Sequence, residues 1–128
     1  MRDVVVVTPN DFGLRELGRL LSAGGFEVIG PSEGRLAAQA DGEVVQFVLD
    51  ASLSEHYEEP EERARVSSLG RDPNFFLVNF KSTKFLGQVL AHVVDRSDAL
   101  VDNDFGTIES GREFVQRFRE RSDWDWIF

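Results

Sequence analysis

The chain contains no cysteine. That absence removes a disulfide framework, a thiol nucleophile and any zinc site built on thiolates. Histidine is nearly as scarce, with only His56 and His92, so a transition-metal site would need carboxylates to complete it. Neither histidine has a serine and an aspartate beside it in the manner of a triad, although triad residues can converge from distant positions. Long apolar runs are missing as well. The opening MRDVVVV is too short and too quickly charged for a signal peptide, and no stretch approaches membrane-spanning length. A cytoplasmic protein is the simplest reading. Basic residues are also in deficit: 14 Lys and Arg face 23 Asp and Glu, for a formal net charge of -9. Such a balance repels phosphate backbones and argues against nucleic-acid binding. It serves ordinary solubility, and it equally suits a basic protein partner, such as a nuclease whose cleft is lined with lysine and arginine.

What is present points to one domain over residues 1–128. A chain of 128 residues that is 41% apolar can bury a single hydrophobic core. Eleven phenylalanines against one tyrosine imply that the aromatics mainly fill that core. Neither a linker nor a repeat of fixed period divides the sequence.

The stretch DVVVVTP reads as a strand covered on both faces, because four consecutive valines show no alternation. Thr8 offers an N-cap, Pro9 the first helical position and Asp11 a first-turn acid. Phe12, Leu17, Leu20 and Leu21 then form a helical face, which Gly24 and Gly25 terminate. FEVIGPS predicts a second strand. Asp41-Gly42 is a two-residue hairpin signal between GRLAAQAD and EVVQFVLDAS. In the second arm, Val45, Phe47 and Leu49 alternate with Val44, Gln46 and Val48, so that strand too reads as largely covered. Residues 53–73 are polar, with a short helix expected from Pro60 to Leu69 before Gly70. NFFLVNF predicts a further strand. Ser82 can cap a helix whose stripe is Phe85, Leu86, Val89, Leu90, Val93 and Val94. ALVDND reads as a last short strand, and residues 111–121 as a last helix turning Phe114, Val115 and Phe118 inward. The expected order is β-α-β-β-β-α-β-α-β-α: an α+β or α/β fold with about four helices against a mixed sheet of five or six strands.

Four features could carry function. Asp102, Asp104 and Glu109 crowd around Gly106. With Asp102 at position one of a calcium loop, Asp104 fits position three, but the glycine comes one residue early and the register fails. Asp102 and Asp104 have strand spacing, so as an acid pair they would share a side. A small metal-dependent enzyme using Asp102, Asp104 and Glu109 is therefore one alternative. The structural alternative is a glycine turn followed by a capping box, Ser110-x-x-Glu113. Lys81, Ser82, Thr83 and Lys84 could hold an anion at a helix start, but no glycine-rich lead precedes them, so they are no P-loop. Glu55, Glu58, Glu59, Glu61 and Glu62 form the densest charge in the chain, with Tyr57 among them. They read either as a solvated loop and first helical turn or as a docking surface for a basic protein. Trp124 and Trp126 alternate with Asp123 and Asp125 near the end of the sequence. They either cover the core or form an interface hot spot.

The sequence VDNDFG, then ESGREF, then WDW resembles the immunity proteins of bacterial polymorphic-toxin and contact-dependent-inhibition systems. Asp102, Asn103, Asp104 and Gly106 match an Asp-Asn-Asp-x-Gly turn, and Trp124-Asp125-Trp126 matches the ending; the likeness covers roughly the last 30 residues. It implies a non-catalytic module without cofactor or metal, which inhibits a toxin by occluding its active cleft. Glu55, Glu58, Glu59, Glu61 and Glu62 would then be steering or contact residues, with Tyr57, Asp102, Asp104, Trp124 and Trp126 as further contacts. A small-molecule-sensing regulatory domain is a third reading, and it would require a closed apolar pocket.

Overall fold

The computed structural model describes residues 2–94, 98–103 and 108–120. The element order is β1 (Arg2–Thr8), α1 (Leu14–Ala23), β2 (Glu27–Ser32), β3 (Arg35–Ala40), β4 (Glu43–Leu49), a 3-10 helix (Ala51–His56), α2 (Pro60–Ser67), β5 (Asn74–Phe80), α3 (Thr83–Val94), β6 (Leu100–Asp102), β7 (Ile108–Ser110) and α4 (Gly111–Glu120). The fold is α+β. Seven strands among the described residues form one sheet in the order β2-β3-β4-β5-β1-β6-β7. Every pairing is antiparallel, where a mixed sheet of five or six strands was expected. The added strand is β7, whose three residues are too few to show a period.

Sheet order follows from burial. Strand β1 lies between β5 and β6, and its valines face two different cores. Val4 and Val6 join the large core under α1, α3 and α4. Val5 and Val7 join a smaller one with Leu53, Tyr57, Phe75 and Leu100, against which Val66 and Leu69 pack. The unbroken valine run thus has the double cover its composition predicts. The α3 stripe is likewise buried at all six expected positions.

Local chemistry sets the junctions. Asp41 and Gly42 both take positive φ in the two-residue turn between β3 and β4, the twist a tight hairpin requires. Ser82 Oγ accepts from Phe85 N at 3.1 Å and so caps α3. The predicted capping box closes α4: Glu113 N donates to Ser110 Oγ at 3.2 Å and Ser110 N to Glu113 Oε1 at 3.4 Å. Gly111 is required by packing. A Cβ there would lie 2.5 Å from Val94 O and 2.6 Å from Val94 Cβ.

One helix start differs from expectation. Thr8 is the last residue of β1, and its hydroxyl donates to Phe12 O at 2.7 Å. The turn it closes delays α1 to Leu14, where Gly13 is the N-cap and donates to Glu16 Oε1 at 3.0 Å. Asn74 reinforces the turn, its amide donating to Pro9 O, Asn10 O and Phe12 O. A contact from β5, 62 or more residues away, thus overrides a plausible local cap.

Candidate functional site

The acidic segment is a ridge laid over the outer, second-core side of the sheet. Asp50 starts it, its Oδ1 accepting from Ser52 N at 3.0 Å and Ser52 Oγ at 2.6 Å to begin the 3-10 helix. Pro60 at the first turn of α2 then suits a position where no amide donor is needed. Glu55, Glu58, Glu59 and Glu61 are exposed and Glu62 is half-buried. Glu61 and Glu62 occupy the first turn of α2, where the helix dipole favours negative charge. Their mutual repulsion at this end is thereby partly offset.

Tyr57 is a correction. Rather than a surface contact, it is 6% exposed, within the second core. Its ring packs at 5.7 Å from that of Phe75, and its hydroxyl donates to Asp102 Oδ2 at 2.8 Å. Arg63 Nε on α2 donates in turn to Tyr57 O at 3.1 Å. Asp102 is correspondingly half-buried, and it ties the ridge to β6. The pair ties the backbone that carries the exposed glutamates to β6. Nothing in the local sequence marks this pairing, since the two residues are 45 positions apart.

The proposed acid trio does not assemble from the residues described. Asp102 lies opposite Val5 and Ile108, on the outer side of the sheet. Glu109 lies opposite Val101, whose side chain joins the helix-covered core, so it faces the other way. There Arg117 of α4 meets Glu109 Oε1 at 3.2 Å, while Oε2 is buried with no hydrogen-bond partner among the described residues. Burial pushes the Glu109 carboxyl above its ordinary value; the Arg117 charge opposes that rise, and Glu113 adds to it. Asp104, Trp124 and Trp126 lie outside the described residues. Among the described residues, no group of three or more His, Asp or Glu side chains is placed to hold a metal ion.

Beside the ridge is a cleft of about 660 Å³, lined by Glu59, Pro60, Glu61, Glu62, Arg65 and Ile108. It places three of the predicted carboxylates around one concavity between α2 and β7. Arg65 supplies a cation among the described lining residues. His56, at the end of the 3-10 helix, is exposed. His92 is exposed as well, and its ring stands edge-on to Phe26 at 5.3 Å. Both therefore fit surface or packing roles.

Sequence reasoning missed a second surface, the outer side of β2, β3 and β4. Val44 is 40% exposed and Ile29 51% exposed, while Ala37, Gln39, Gln46 and Val48 are half-buried. The signal was present in β4: valines and a glutamine alternate with Val45 and Phe47, and continuous apolar character was read as double cover. No helix of the described residues is long and apolar enough to cross a membrane. Comparison with known protein families, with curated proteins and with solved structures finds no match for this chain.

Proposed function

We propose that the chain is a non-catalytic protein-binding module, an immunity protein that neutralises a cognate toxin by covering its basic active cleft. The observation that supports this most directly is the pinned ridge: Glu55, Glu58, Glu59 and Glu61 exposed on a scaffold held by Tyr57 and Asp102. A backbone anchored before encounter loses less freedom on binding than a flexible one. Together with a net charge of -9, the exposed carboxylates would steer a basic domain toward this side of the molecule. The resemblance of VDNDFG and WDW to immunity proteins agrees with that role.

The direct test is co-expression with the protein encoded beside this chain in its genome. Protection of the host cell, and a complex that survives gel filtration, are the expected results. Charge reversal at Glu55, Glu58, Glu59 and Glu61 together should slow association by roughly 10-fold or more, since steering supplies about 10- to 1,000-fold in on-rate. The same variant should lose most of the salt dependence of that rate. Absence of both binding and protection would overturn the proposal.

A further inference from the structure

We infer that the partner seats on the open outer face of β2, β3 and β4, with the acidic ridge gripping its flank. The inference rests on the immunity reading and adds the contact surface to it. Strand register defines that face row by row. Glu27, Gln39 and Val44 form one row. Ile29, Ala37, Gln46, Asn79 and Asp3 form the next. Arg35, Val48 and Leu77 form the third, which runs into Val5 and the ridge-covered half of the sheet. The side chains are therefore aliphatics and amides in the middle, with carboxylates at Glu27 and Asp3 and one cation, Arg35, on the margins. Apolar centre and charged rim is the ordinary anatomy of a protein interface.

The charge distribution chooses the occupant. The ridge leaves the sheet where β4 ends: Asp50 N donates to Phe75 O at 2.9 Å, and the 3-10 helix follows directly. A molecule lying on this face thus meets Glu27 and Asp3 at its margins, with Arg35 as a single opposing charge, and the acidic segment begins where β4 ends. A second copy of this chain would bring like charges together, with -9 on each partner. Strand addition is hindered too, because β2 shifts register between Ile29 and Ser32 and carries Pro31, which has no donor. A basic domain presenting an apolar patch flanked by lysine or arginine fits both features.

Area requires the two surfaces to act together. Three strands spaced about 4.8 Å apart, over five residues of about 3.4 Å, give a plane of roughly 250 Å². A stable interface needs about 800 Å² from each partner, so the face alone falls short and the adjoining ridge must contribute. The partner class is then a protein domain rather than a short peptide.

The chain has no cysteine, so a single introduced thiol reports one position. Val44→Cys and Ile29→Cys on the face, and Glu58→Cys on the ridge, are labelled with a maleimide, free and in complex with the protein encoded alongside. Ready labelling of all three in the free protein, and protection of all three in the complex, is the expected result. Val44→Arg should weaken the complex at least 10-fold while leaving the circular dichroism and Tm unchanged. If Glu58→Cys is protected but Val44→Cys still reacts, the face is not the seat and this inference falls, while the immunity reading stands. If no complex forms, both fall. Slow labelling of Val44→Cys in the free protein would also overturn the inference. A dimer by sedimentation would then identify a second copy as the occupant, and relief on deleting residues 121–128 would identify the chain's own end.

Discussion

Neighbouring residues of β4 show the contrast between the two sides of the sheet. Val45 and Phe47 are fully buried beneath α1 and α3, yet Val44 between Gly42's turn and Val45 is 40% exposed. Composition hardly differs between the sides of this strand, so hydropathy cannot say which is covered. Cover is supplied from elsewhere. Among the described residues, three helices span the inner side of the sheet, whereas on the outer side the 3-10 helix and α2 pack on the core around β1, β5 and β6. The remainder of the outer side is a surface of apolar and amide side chains, and that is where stability and recognition part company.

The contrast can be broken most severely from the inner side. Phe47→Ala should cost about 3–5 kcal/mol, because truncating a fully buried phenylalanine leaves a cavity as well as losing transfer free energy; denaturant unfolding measures it. Gly111→Ala should cost about 1–3 kcal/mol by forcing α4 away from Val94, read as a lower midpoint with an unchanged slope. On the outer side, Tyr57→Phe removes the hydrogen bond to Asp102 and should cost about 1 kcal/mol. Its sharper signature is faster amide exchange around the 3-10 helix and α2 than in α3. Val44→Ser should stay within about 0.5 kcal/mol, and a large loss there would mean that the open face is structurally covered.

A finer comparison uses pH. Burial raises the Glu109 carboxyl above its ordinary value of 4.5, so the folded chain holds that proton more tightly than the unfolded one. The resulting stabilisation is full below the unfolded value and is lost as pH rises through the folded one. Wild type should therefore gain on Glu109→Gln as pH is lowered from 7 toward 5, measured as a shrinking Tm advantage, or a growing Tm deficit, of the variant. A difference independent of pH would show that Glu109 does not titrate in this way.

Much of the fold was legible where local and tertiary demands agree. The valine run of β1, the Asp41-Gly42 turn, the stripe of α3 and the Ser110–Glu113 box all appear where periodicity and capping chemistry place them. Failures occurred where a distant residue intervened. Asn74 helps hold the turn that displaces the start of α1, and Val101 reveals on which side Glu109 points. The candidate site was legible as charge: Glu55, Glu58, Glu59 and Glu61 are outside, as their composition implies. The burial of Tyr57 was not legible, because an aromatic among acids has the composition of an interface even when it packs into a core.

By itself the sequence determined the class of fold, most of its elements and the sign of its surface, since these depend on period, propensity and charge count. Tertiary structure alone decided that Asp102 and Glu109 face opposite ways, that Tyr57 anchors the ridge, and that Val44 on the outer side of β4 is exposed. The physical reason is common to all three. A strand alternates its side chains between two faces, and what lies on each face is set by strand register and by helices distant in the chain.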